Sequence, residues 1–123
     1  MWFATDDGLD RFDGANFKVY RNIPMDSTSL QANEILSLHE DKDGNLWVGT
    51  SGGSLSLYDR KKDHFINFPT NYLGKNAIRH NVIPSVCSDS QDRLWIGHYD
   101  GISLLDKKTQ QISDFTTSNG SRF

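Results

Sequence analysis

The residues able to do chemistry are scattered along the chain. Four histidines stand at positions 39, 64, 80 and 98. None forms a His-x-His pair, and no Cys-x-x-Cys accompanies them, so no metal is expected. Cys87 is the single cysteine. It cannot form an internal disulfide, and it is expected to serve as a small core hydrophobe rather than a nucleophile. Asp6-Asp7 suggests the paired carboxylates of glycoside hydrolysis. Adjacent residues on an extended segment project to opposite sides, so a solvated loop is the better reading. Asp41-Lys42-Asp43-Gly44-Asn45 is rich in oxygen ligands but lacks the downstream Glu of a calcium loop. Its counterpart Asp89-Ser90-Gln91-Asp92 lacks the Gly, and a hairpin turn accounts for both. Thr50-Ser51-Gly52-Gly53-Ser54 is Gly-rich, yet no Gly-Lys-Ser/Thr follows, so it is a turn with glycines at positive φ rather than a phosphate cradle. No Ser-His-Asp set follows from spacing, and no cofactor is implied.

Composition narrows the classes further. The 123 residues carry 13 Lys+Arg against 16 Asp+Glu, a net charge of −3. The basic run Arg60-Lys61-Lys62 is flanked by Asp59 and Asp63, so no patch exists for nucleic acid. No apolar run approaches the ~18 residues of a membrane helix, and no signal peptide is expected, since Met1 leads directly into Trp2-Phe3-Ala4. Seven Phe, four Tyr, three Trp and ten Gly argue against disorder.

The elements that position these residues are set by a repeat. Tryptophans fall at 2, 47 and 95, within Met1-Trp2-Phe3-Ala4-Thr5, Leu46-Trp47-Val48-Gly49-Thr50 and Leu94-Trp95-Ile96-Gly97-His98. Each is followed six residues later by Gly8, Gly53 or Gly101, then by Leu9 to Asp13, Leu55 to Asp59 or Ile102 to Asp106. The second copy has one extra residue near Ser54. Upstream, Asn33 to Leu38 matches Asn81 to Val86 at an offset of 48. The apolar runs are short, β-branched, aromatic-rich and bounded by turn residues, which predicts strands. Asp43-Gly44 predicts a type I′ hairpin turn.

Four strands in 45–48 residues is the period of a β-propeller blade. The expected fold is all-β, a propeller segment of about three antiparallel blades and 11 strands whose first blade lacks its innermost strand. Residues 1–24 form a partial blade, 25–70 and 71–118 full blades, and 119–123 the start of a connection to a further blade. Labelled A to D outward from the central axis, strand A spans Ile35–Glu40 or Ile83–Ser88. Pro84 inside the second of these requires an edge position with its nitrogen facing inward.

The pattern Asn-x-Ile-x-Ser, then Asp-x-x-Gly-x-Leu-Trp-(Ile/Val)-Gly-Thr, then Gly-Leu and an aromatic-Asp pair resembles the two-component regulator propeller repeat. Asn33 to Asp59 carries it, and Asn81 to Asp106 carries it more loosely, with His98 in place of Thr. The resemblance implies the periplasmic or extracytoplasmic sensor region of a membrane-anchored hybrid histidine kinase that responds to glycans. The kinase domains are absent from this segment, so the segment itself is expected to be non-enzymatic.

In a propeller, the D–A and B–C loops emerge on one face. There the expected ligand residues are Tyr72, Arg79, His80, Asn81, His98, Tyr99 and Asp100, whose aromatic, amide and imidazole groups suit an oligosaccharide. Trp2, Trp47 and Trp95, with the three glycines that follow them, are expected to be structural. A protein–protein scaffold, or a fragment of a propeller lyase or hydrolase, is the alternative. The open blade ends are expected to pair with the rest of a parent propeller or, in isolation, with a second copy as a homodimer. No contact with nucleic acid or membrane is expected.

Overall fold

The computed structural model describes residues 1–68, 70, 77, 78, 80–99 and 101–116. Among these are β1 (Trp2–Thr5), β2 (Gly8–Phe12), β3 (Phe17–Tyr20), β4 (Ile35–Glu40), β5 (Leu46–Thr50), β6 (Leu55–Asp59), β7 (His64–Asn67), β8 (Ser85–Ser88), β9 (Leu94–His98), β10 (Gly101–Asp106) and β11 (Gln111–Thr116). They form three antiparallel sheets, ordered β1-β2-β3, β4-β5-β6-β7 and β8-β9-β10-β11. The 11 strands and the three-stranded first blade agree with the sequence reading.

Alternation along each strand decides what lies between blades. Leu46 and Val48 of β5 turn toward the first blade, where they join Leu9, Tyr20, Leu30, Ile35, Tyr58 and Phe65, with Trp2 packed against them. Trp47 turns the other way, toward Ile78, Ile83, Val86, Leu94, Ile96 and Leu105. Both faces of β5 are thus covered, and the whole strand is buried. Among the described residues, no further blade covers Trp95, which stacks on Phe115 at 6.1 Å. Cys87 pairs with Trp95 on that open face and is exposed, which corrects its expected place in the core.

One carboxylate organises the turn before β5. Asp41 Oδ1 accepts Asp43 N at 3.0 Å and Asn45 N at 2.9 Å. Its Oδ2 accepts the Trp47 indole Nε1–H at 2.9 Å. Asp89 does the same for Gln91 N, Arg93 N and the Trp95 indole. The turn is not type I′: Gly44 N donates to Asp41 O, and Gly44 alone is at positive φ, 82°. Asp92 takes the same left-handed place in the next blade, φ 60°. Losing the glycine there costs some backbone strain but preserves the turn.

Two further expectations are corrected. Strand A of the third blade begins at Ser85 rather than Ile83, so Pro84 precedes it. In the second blade the pairing slips between Ile35 and Ser37, leaving Leu36 out of the ladder. Pro84 occupies the matching place in the third blade, where a missing N–H is harmless. In the β5–β6 turn the positive φ values belong to Gly52 and Ser54, not to Gly53. Gly53 is required by space instead, since a Cβ there would lie 2.8 Å from Ala32 N.

A cation joins the second and third blades. Lys107, in the β10–β11 turn, reaches Asp41 Oδ2 at 2.9 Å and Asp92 Oδ1 at 2.8 Å. Burial pushes the Asp41 carboxyl up, but hydrogen bonds from Lys107, Trp47 and Asn45 outweigh it and hold the group well below the usual carboxylate range. Burial lowers Lys107, and its two carboxylate partners more than restore it. Asp89 is held at about 2, chiefly by the Arg93 backbone N–H, against the upward push of burial and with the help of Trp95.

Truncating Trp47 to Ala is expected to cost about 3–5 kcal/mol, read from the urea midpoint. Trp95→Ala, on the uncovered face, should cost less. The lowered Asp41 pKa gives a pH signature: its stabilisation is complete above the unfolded value near 3.9 and is lost as pH falls below it. Asp41→Asn should lower the midpoint at pH 7, and its gap to wild type should narrow as the pH drops to 2.

Candidate functional site

The loops entering a blade and the turns between its second and third strands meet on one face. Backbone hydrogen bonds hold them together. The β1–β2 turn donates Gly8 N to Asn33 O at 2.6 Å. The β5–β6 turn donates Gly52 N and Ser54 N to Asn81 O, each at 2.9 Å. Asn33 and Asn81 are the repeated asparagines before strand A, so each blade's turn grips the lead-in of the next.

Three of the expected ligand residues come together here. The His80 and Tyr99 rings lie 5.4 Å apart. His80 Nδ1 accepts Val82 N at 3.1 Å, which leaves the proton of the neutral ring on Nε2. Tyr99 is 70% exposed, and Asn81 is exposed beside His80. Tyr72, Arg79 and Asp100 lie outside the described residues.

His98 lies elsewhere. Leu94, Ile96 and His98 share the face of β9 that is buried against the second blade. Its ring meets Ser103 Oγ at 3.0 Å and stands 3.9 Å from Asp114 Oδ1, while Ser103 donates to Asp114. This corrects the placement of His98 in an exposed ligand loop: strand alternation carries it inward. The Ser-His-Asp constellation offers no nucleophile, because Ser103 is wholly buried. The equivalent places in the second blade hold Thr50, Ser56 and Asn67, and there Ser56 Oγ bonds Asn67 Oδ1 at 2.5 Å. Both sets brace the middle of a blade. The clue in the sequence was the Thr-to-His change, but its meaning needed the cross-strand register.

A second polar cluster escaped the sequence reading. Tyr20 OH and Tyr58 OH each donate to Asp63 Oδ1 at 2.6 Å, and Lys18 pairs with its other oxygen. Arg11 donates to Tyr58 OH at 3.0 Å. Lys18, Tyr20 and Tyr58 hold the Asp63 carboxyl far below its ordinary range. Burial, then the bond to Asp63, pushes the Tyr20 hydroxyl far up. These groups join the first blade to the second and are spent on each other. Among the described residues, no three His, Cys, Asp or Glu are grouped to hold a metal.

Comparison with known proteins places this arrangement. The family described as "Two component regulator propeller" matches residues 29–52 and 77–100. A chain described as the extracellular domain of the hybrid two component system BT3049 from B. thetaiotaomicron superimposes with a TM-score of 0.84 at 28% identity, over 95% of this chain and 17% of that one. The extracellular domain of BT4673 from the same organism matches with a TM-score of 0.50 at 18% identity, over 93% of this chain and 23% of that one, which speaks to the fold alone. Histidine kinase P4 of Formosa agariphila is 60% identical over 30 residues, 24% of this chain and 2% of that protein. The chain thus spans a small part of each relative. The matched residues cover the Asp–Trp turns and the strands beside them in both full blades, so these two stretches are similar to two-component regulator propeller repeats.

Proposed function

We propose that this chain is a non-enzymatic part of the extracytoplasmic sensor region of a two-component signalling protein, and that its loop face meets a glycan. The observation that carries the reading is the likeness over 95% of the chain to an extracellular domain of a hybrid two component system. The identity of 60% to a histidine kinase over 30 residues supports it. His80, Asn81 and Tyr99 supply the ring face, amide and hydroxyl that sugar recognition uses. Binding there has a route inward, because the same loops donate the bonds between blades. Isothermal titration of the chain with oligosaccharides should give saturable heat, weakened by Tyr99→Ala. Absence of heat with every saccharide, together with retention of a protein partner, would favour a scaffold instead; turnover of a saccharide would favour the enzyme reading.

The ends of the stack bear on assembly. The outward face of the first blade exposes Phe3 at 43%, Phe17 at 66% and Val19 at 42%, and the far side of the third exposes Phe115 at 44%. We infer that these are blade-contact faces, and that copies of the isolated chain cover them by pairing as a homodimer. Sedimentation at micromolar concentration should show dimers; a monodisperse monomer would count against this.

A further inference from the structure

A groove runs between the second and third blades on the loop face, with a volume of about 400 Å³. That is within the range of small-ligand sites. Its walls include Ser27, Gln31, Ser54, Asn67, Phe68 and Asn81. Among the described residues, no charged side chain lines it, although 24% of the chain is charged. The crevice on the opposite face shows the contrast, being lined by Lys42, Asp43, Asp92, Arg93, Lys107 and Lys108.

The walls are held in place before any ligand arrives. Asn67 Nδ2 donates to Ser27 O at 2.9 Å and Ser29 O at 2.8 Å, while its Oδ1 accepts Ser56 Oγ. Gln31 Nε2 donates to Ser29 O at 2.8 Å. Phe68 is braced by Trp47, ring centroids 5.5 Å apart. Two groups remain unspent. The Asn81 carboxamide is exposed and makes no side-chain hydrogen bond among the described residues. The Ser54 hydroxyl also has no partner among the described residues, but it lies beneath the groove wall, closed off from solvent.

We propose that this groove is a binding site for an uncharged, polyhydroxylated ligand, of the class of a neutral sugar residue. Hydroxyls would pair with the free amide of Asn81 and with Gln31, and C–H bonds would lie on the half-buried Phe68. An acidic or basic ligand would be desolvated there without a counter-charge among the described residues, and so is disfavoured. The inference rests on the sensor reading for its biological purpose and refines it, moving the principal contact from the His80–Tyr99 pair to the groove that Asn81 shares.

The test titrates the 123-residue chain with maltotriose, cellotriose, mannotriose and xylotriose, with trigalacturonate as the charged comparison, and follows backbone amide shifts by NMR. At least one neutral sugar should shift Gly52, Gly53, Ser54 and Asn81, with trigalacturonate at least tenfold weaker. Asn81→Asp, at an exposed position, and Gln31→Ala should each weaken the neutral sugar at least tenfold with the other amide positions unchanged. Shifts confined to His80 and Tyr99 would overturn the groove and leave the sensor reading standing. Tighter binding of trigalacturonate would overturn the neutral specificity. No shift with any of these sugars would overturn the groove, and saturable heat with some other saccharide would then decide whether the sensor reading survives.

Discussion

The Asp41 carboxylate is the point on which the stack depends. Two backbone N–H groups fix its turn, the Trp47 indole fixes the strand that follows, and Lys107 ties both to the next blade. A carboxylate buried without such partners would be strongly destabilising. With them, it commits the tryptophan to one orientation, and the tryptophan then fills the gap between blades. Asp89 repeats the two backbone bonds and the indole bond in the third blade, and its remaining capacity goes to its own Arg93 at 2.9 Å. The motif is therefore a turn and an interblade plug built from one acid.

Much of this was legible because it is local. The Asp, Gly and Trp spacing, the short alternating strands and the extra residue near Ser54 all follow from neighbours along the chain. The register shows that extra residue directly: Trp47 pairs with Leu57, one position later than Trp2 with Arg11 or Trp95 with Leu104. What escaped was set by residues distant in sequence. Lys18, Tyr20, Tyr58 and Asp63 meet only when two blades stack. His98 looked like a loop residue because it follows the motif glycine, yet the parity of β9 turns it into the blade. Cys87 looked like core because it sits in an apolar run, but its parity puts it on the side no blade covers. Parity assigned a face to each; which face is covered is a property of the assembly.

The two faces of the propeller segment divide their labour by charge. On the side of the Asp turns, Asp41, Asp89, Asp92 and Lys107 are consumed by structure. On the loop side, the contacts between blades are made by backbone groups, Gly8 and Asn33 or Gly52, Ser54 and Asn81. The exposed side chains of Asn81 and Tyr99 stand there, while His80 keeps one bond, from Val82 N.

The contact at Gly49 has a consequence for shape. Ser37 Oγ donates to Ile83 O of the next blade at 3.1 Å, and a Cβ on Gly49 would lie 2.6 Å from that same carbonyl. The missing methyl sets how closely the inner edges of adjacent blades approach, while the aromatic and ionic contacts nearer the rim set their outer separation. The difference between the two, over the depth of a blade, is the angular pitch of the ring. Forcing the inner edges apart at this one position would flatten the wedge, and a ring made of flatter wedges needs more blades to close.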